Sequence, residues 1–599
     1  MKIGKTFAFI LVASGLILLS SSVVNAWSPT QKAIPGLSRD KLLNSSAISA
    51  WIPTPVADDP LVRMPGTQPG QVELEGPNRC LNCHSGYDPL VEPGFSWKGS
   101  MMAQAGRDFL FLSCVTVAGQ DSIWAIGSPN AIDICERCHY PEGWLEGRSD
   151  PPNISVMSGS DYDGVECAFC HQMYDPFFET TYSGTREGDD WLNYWDETND
   201  SDTPSVTAAE ATYLEDSLSA QDILLFNGDP FFGIDNLPVS PGYVESGGGQ
   251  YYVSPNNDKR ASFADVDPRS HNFYYSWYHK SKYFCSTCHD VSNPVLTNLG
   301  QDGTQPLNTE FFSAYSYFHV ERTFSEFMLS DYGLQGGAQG IGPFAPEVFD
   351  TSLANNYIAR CQDCHMRDVE GPGCNKQGVL IRSTESIEHP NSGLPLHDLS
   401  GGNAWVSYVL ASAIGGSPNY DATNDQLLNQ GPEILTLDLI QGLGIDPEAL
   451  LAGVERAKGQ LQGAASIKNL EYNSEDGTIS FRVQNQTGHK LIPGFPEGRR
   501  MFVNIKAKAT DGSLIYEVNP YDYQAGTLKG LNNNYQPDPN GILPLPQGIN
   551  PLNEAYADEL VYEVHPSSDL TGEDETFHFA LATNRYKDNR IPPKGLGLS

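Results

Sequence analysis

Positive charge is what this chain has least of. Its 36 Lys and Arg face 74 Asp and Glu, a formal net charge of −38. A surface of that sign repels nucleic acid and anionic lipid, and no basic stretch offsets it locally. It favours basic partners, bound cations or a salty medium that screens self-repulsion, with plain solubility as the alternative reading. Long apolar runs are missing too: past the N-terminus, nothing approaches the roughly 18 residues of a membrane helix. There is no nucleotide-binding loop and no Ser-His-Asp pattern. Hydrophobic residues make up 39%, alongside 57 Gly and 42 Pro, which points to a loop-rich globular protein rather than a helical array or a membrane bundle. At 599 residues the chain is too long for one core, and two or three domains are expected.

Cysteine is present in a fixed pattern. C-x-x-C-H occurs five times: Cys80, Cys83 and His84; Cys135, Cys138 and His139; Cys167, Cys170 and His171; Cys285, Cys288 and His289; Cys361, Cys364 and His365. With only 13 His in the chain, composition makes five chance repeats negligible. The spacing is the attachment signature of a c-type haem, in which two thiols add to the porphyrin vinyl groups and the following imidazole faces the iron. Zinc knuckles, redox C-x-x-C pairs and disulfides are the alternatives. Zinc sites need no His after every pair and would pool ligands between pairs. Five haem c groups are therefore expected. Ten of the 12 cysteines are used in this way, leaving Cys114 and Cys374 either to pair or to stand as independent buried thiols.

The N-terminus reads as a secretory signal over residues 1–26. Lys2 and Lys5 precede an apolar run over 6–19, and Val24-Asn25-Ala26 ends in a small-residue cleavage site. An uncleaved anchor is the alternative, but the run is short for one. No Cys follows the site, so no lipoprotein anchor is expected. Cleavage removes two lysines and takes the net charge from −38 to −40. Export to the periplasm or beyond fits the haems, which are attached outside the bacterial cytoplasm.

The fold class expected is mixed: a loop-rich, mainly α multihaem cytochrome c domain over 76–464, then an all-β immunoglobulin-like sandwich over 465–599, incomplete or truncated. Residues 27–75 read as an extended lead-in. Residues 184–270 read as an irregular insertion, with a calcium-stabilised loop as the rival that lacks an ordered Asp-x-Asp-x-Asp-Gly run. Helices are expected over 101–118, 316–334 and 446–462, the last with Asp446 as N-cap and Pro447 in the first turn. Alternating apolar residues broken by Asp-Gly turns mark strands from about 465. The second and third motifs, 32 residues apart, are expected to be neighbours.

Several segments together resemble a family of secreted multihaem cytochromes related to the tetrahaem cytochrome that accepts electrons from hydroxylamine oxidoreductase. They are WKGSMMAQAGRD, CERCHYPEGWLEGRS, DGVECAFCHQMYDP, FCSTCHDVSNP, VERTFSEF, CQDCHM and PLHDLSGGN; NQTGHKLIPGFPEGRRMFV and KDNRIPPKG resemble its C-terminal β-domain. The likeness covers about 76–599. It implies distal iron ligands: Met102 stands where a W-x-G-S-x-H-A pattern supplies a histidine, and His271, His279, His397 and His489 match recurrent histidines. A methionine ligand would raise that haem's potential. His489 also has a local reading, as a turn histidine. His319, His389, His565 and His578 are left as structural.

Saturated irons carry electrons, whereas an open iron binds substrate. The expected function is electron transfer between redox partner proteins, basic or themselves multihaem, with no nucleic acid and no stable membrane span. One rival is a reductase or oxidase of a small nitrogen or sulfur compound at one open haem; pentahaem nitrite reductases commonly carry a C-x-x-C-K motif, and all five motifs here end in His. The other is a homo-oligomer or extracellular cytochrome filament.

Overall fold

The computed structural model describes residues 66–177, 206–220, 249–263, 270–291, 320–376, 394–429, 437–529 and 548–596, apart from a few positions within them and with isolated ones such as Asp190 besides. The signal segment, most of the lead-in, much of the insertion, His319 and His389 lie outside the described residues. The architecture is mixed and loop-rich: helices, two of them 18 residues long, and three two-stranded sheets lie before residue 465, with the larger sheets after it. Among the described residues no helix is long and apolar enough to cross a membrane.

The main apolar core gathers three helices. Leu112 and Val115 of Phe109–Ile126 pack with Val406 and Leu410 of Trp405–Ser412 and with Leu450 of Pro447–Ala464, around buried Tyr140 and Tyr162. The first of these helices begins and ends later than the expected 101–118. Asp108 sets its start, the carboxylate accepting from the backbone N–H groups of Leu110 and Phe111 at 2.9 and 3.2 Å. Gly127, at φ 83°, ends it in the left-handed conformation that glycine adopts without strain. Residues 105–107 form only a 3-10 turn, so the methionines before them sit in turns, not on a helix.

The Pro447–Ala464 helix matches its expected span, and Asp446 caps it by accepting from Ala449 N–H at 3.2 Å. It lies against the Pro93–Lys98 helix at two glycines. A Cβ on Gly453 would sit 1.9 Å from the Gly99 carbonyl oxygen, so only glycine permits this approach. Of the helix expected over 316–334, residues 316–319 lie outside the described residues, and the described part is helical over Thr323–Met328, followed by a 3-10 turn at Asp331–Gly333. The region read as an irregular insertion holds a 14-residue helix, Val206–Ser219, whose Ala209 and Tyr213 are buried.

From residue 465 the strands gather in sheets of two to four. Ala465–Asn473 and Thr478–Asn485 form an antiparallel hairpin. A four-stranded sheet runs in spatial order Ile505–Lys508, Leu514–Val518, Glu554–Tyr556, Gly548–Asn550, and the middle two strands are parallel, unlike the all-antiparallel pattern expected. A three-stranded sheet centres on Val561–Ser567. Buried Glu326 joins this region to the first. Arg590 Nη2 donates to Glu326 Oε1 at 2.8 Å, and Lys490 N–H donates to its other oxygen at 3.1 Å.

Candidate cofactor site

In a helix, residues i, i+3 and i+4 share one face, so a C-x-x-C-H run wound into one turn aims two thiols and an imidazole the same way. Four motifs do this within one helix that ends on the histidine: Asn78–His84, Ile132–His139, Cys167–His171 and Cys361–His365. The fourth is looser. Its helix, Lys282–Ser286, stops early, although His289 N–H still donates to the Cys285 carbonyl at 3.0 Å. Buried carboxylates start two of these turns. Glu166 accepts from the N–H groups of Ala168 and Phe169, both at 2.6 Å, and Asp363 accepts from those of Ala359 and Arg360, both at 2.9 Å.

All ten motif cysteines and all five motif histidines line a single cavity of about 2110 Å³. That exceeds the roughly 300–1,000 Å³ of a pocket for one small molecule. Its walls also carry all five expected distal groups, Met102, His271, His279, His397 and His489, and the two remaining thiols, Cys114 and Cys374. None of the twelve cysteines is in a disulfide.

Seven of the nine cavity imidazoles are held in one manner. Nδ1 faces a backbone carbonyl at 2.6 Å in His84 (Gly373), 3.2 Å in His139 (Ala105), 2.8 Å in His171 (Arg260) and 2.7 Å in His365 (Ser400). The same holds for His271, His397 and His489, on Asn272, Pro395 and Lys490 at 3.0, 2.9 and 3.1 Å. A carbonyl only accepts, so Nδ1 carries the proton and the Nε2 lone pair is left for a metal. Burial acts in the same direction. It lowers the pKa of His139, His397 and His489 to about 4 and lowers those of His84, His171 and His365, so these rings are neutral at pH 7.

His279 differs: its Nε2 faces the Cys170 carbonyl at 2.8 Å. Its ring centre is 5.6 Å from that of His171, and the ring centre of His397 is 6.1 Å from that of His171. An iron held between two imidazoles separates their centres by about 6 Å, given metal–nitrogen bonds of about 2 Å. Both histidines are thus within range of the third motif. Met102 packs against the apolar cluster that includes Ala105, Val165 and Phe169, whereas the sulfur of its neighbour Met101 already accepts a hydrogen bond from Ser407 at 3.1 Å. His565 and His578 lie off the cavity wall on carboxylates: His565 at 2.9 and 2.7 Å from Glu563 and Glu575, His578 at 2.6 Å from Asp121.

The Gln362 amide of the fifth motif donates to the carbonyls of His279 and Ser281, just before the fourth motif, at 3.2 and 2.8 Å. The Cys167 hydrogen bond lowers Cys80 to about 7, while burial raises Cys170 to about 12. Among the described residues no three His, Cys, Asp or Glu converge as a zinc site would require.

Sequence reasoning missed the groups that orient the rings. Phe111 stacks on His139 at 3.5 Å, and the carbonyl that holds His171 belongs to Arg260. Arg260 is itself fixed by Asp216 on the Val206–Ser219 helix, 2.5 Å away and fully buried, so the insertion braces the third motif. Only PLHDLSGGN announced part of this shell, since it supplies both His397 and the Ser400 carbonyl.

No protein-family model matches this chain, and no curated protein or solved structure matches it. The chemistry of the cavity rests on its own residues. Paired thiols on one helix face, neutral imidazoles presenting Nε2 and an apolar wall are the set that a thioether-bound porphyrin requires.

Proposed function

We propose that the cavity holds five haem c groups and that the protein is an exported multihaem cytochrome carrying electrons in the periplasm or outside the cell. Cys80, Cys83, Cys135, Cys138, Cys167, Cys170, Cys285, Cys288, Cys361 and Cys364 would form the thioethers. His84, His139, His171, His289 and His365 would be proximal ligands, with Met102, His271, His279, His397 and His489 on the distal sides. The family reading is part of the proposal: a multihaem domain related to hydroxylamine-oxidoreductase-linked cytochromes, followed by a β-domain of immunoglobulin-like type.

The observation that carries this is the convergence of all five motifs and all five distal candidates on one cavity. The haem irons supply one-electron chemistry; the chain sets each potential through ligand identity, burial and nearby charge. Carbonyls on Nδ1 fix the tautomer and turn of His84, His139, His171, His271, His365, His397 and His489, which makes each of these imidazoles a better donor. A net charge of −38 favours basic redox partners.

His279 supports a second reading. With its Nε2 turned to a carbonyl, one iron would lack its distal ligand and could bind a small nitrogen or sulfur compound. Low-temperature EPR on the oxidised holoprotein separates the two. Five low-spin signals support the carrier; a high-spin signal that shifts on adding nitrite, hydroxylamine or cyanide supports the enzyme and removes the saturated-carrier claim.

A further inference from the structure

The Ala465–Asn473 and Thr478–Asn485 strands pair with each other and join no other sheet among the described residues. Their register sorts the side chains by face. Ile467 opposes Val483 and Tyr472 opposes Ile479, while Lys468 opposes Arg482 and Glu471 opposes Ser480. Side chains alternate along a strand, so Ile467, Leu470, Tyr472, Ile479, Phe481 and Val483 share one face. Every charged residue of the two strands lies on the other. The apolar face is bare: Ile467 is 56%, Leu470 67%, Tyr472 66% and Ile479 39% exposed. The sheet centred on Val561–Ser567 behaves otherwise, since Val561 and Val564 are buried.

A lone two-stranded hairpin is marginal in water, and three or more strands or a covered face are what stabilise one. Edge pairing is blunted here. A bulge between Lys468 and Glu471, with Asn469 at φ 51°, interrupts the first strand. The face is what is left to cover.

Charge decides what approaches it. The whole chain carries −38, yet the nine and eight residues of these strands hold Lys468 and Arg482 against Glu471 alone, a net +1. Glu475 and Asp476 at the tip repel an anionic membrane surface, and a basic partner finds no carboxylate on the apolar face. A second copy is repelled by most of the acidic surface but meets no like charge on this face. Its size also suffices. At about 3.3 Å per residue and about 5 Å between strands, the face is roughly 30 Å long and 10 Å wide. Two such faces together bury on the order of 1,000 Å², the low end for a specific interface.

We propose that this chain forms a two-fold dimer in which the apolar faces of two such hairpins pack against each other as a small sandwich. The same patch serves on both copies, so the contact closes on itself and no filament grows from it. The inference is independent of what the cavity holds.

Sedimentation equilibrium of the full-length exported protein tests this. A monomer–dimer equilibrium is expected below about 100 μM protein. The double variant Leu470→Glu, Tyr472→Glu places charge on the bare face, where neither side chain is packed, and is expected to weaken the dimer by about a hundredfold or more. Lys468→Glu, on the opposite face, is the control and is expected to change the affinity by less than about threefold. Added salt screens the acidic surfaces and is expected to tighten the dimer. A monomer at about 100 μM, a dimer indifferent to the double variant, weakening by salt, or a ladder of higher oligomers each overturns the proposal. Should the double variant fail to mature, hydrogen exchange on the unaltered protein reads the same contact. Amide protection over 465–485 is expected to rise with protein concentration while that over 561–567 stays constant. No rise overturns the proposal.

Discussion

The two halves of this molecule turn their polarity in opposite directions. Before residue 465 the five motifs face a shared cavity, and three ion pairs are dry: Arg107–Asp163, Arg260–Asp216 and Lys282–Asp190 are all nearly inaccessible. After it, the Ala465–Asn473 strand is half-buried or exposed along its whole length, and several ion pairs lie at the surface. Buried ion pairs add little net stability over apolar packing, but losing one partner leaves a charge stranded. A region lined around a shared cavity needs such fixed geometry, because its side chains must face the open space and cannot collapse on one another. A region of small sheets can tolerate looser polar contacts.

That contrast can be broken most sharply at Asp163. Its carboxylate receives Arg107 Nη2 at 2.8 Å and the Leu443 N–H at 2.9 Å. Asp163→Ala is expected to cost about 3–5 kcal/mol in chemical denaturation by leaving Arg107 buried and unpaired. A change below about 1 kcal/mol would mean that the first region is as tolerant as the second. Gly453→Ala should follow closely, at roughly 1–3 kcal/mol, because the added methyl meets the Gly99 backbone rather than a side chain that could move. Loss of the Asp446 cap in Asp446→Ala is expected to cost about 1 kcal/mol, read as a lower midpoint in the same titration.

Within the β-region the sensitive element is His565, and pH reveals it. Burial opposes its charge, yet hydrogen bonds to Glu563 and Glu575 raise its pKa to about 9. A raised pKa contributes stability that is complete below the unfolded value near 6.5 and is lost as pH climbs to about 9. The melting temperature of wild type is therefore expected to fall towards that of His565→Gln between about pH 6.5 and 9. A constant gap between the two curves over that window would remove this ion pair from the account. The smallest effect is expected at Lys458, whose pair with Glu455 is exposed. Lys458→Ala should change stability by less than about 0.5 kcal/mol.

The covalent and local part of the molecule is legible in its sequence. C-x-x-C-H states its own geometry because i, i+3 and i+4 meet on a helix face, and Asp446-Pro447 announces a helix start through capping chemistry. Met102, His271, His279, His397 and His489 are singled out by likeness alone, and the fold brings all five to the cavity wall. The carbonyls of Gly373 and Arg260 are hidden, since every residue offers a carbonyl and only the fold selects which one meets a ring 289 or 89 positions away. The late start of the Phe109–Ile126 helix is hidden too, because apolar spacing shows a face, while Asp108 decides the end.

Intact-mass analysis of the exported protein, followed by peptide mapping of the ten motif cysteines, tests the central claim most directly. The account predicts five covalent haem additions per chain, one on each of the five motif peptides, with Cys114 and Cys374 unmodified. Free thiols, disulfides or zinc on those motifs would contradict it.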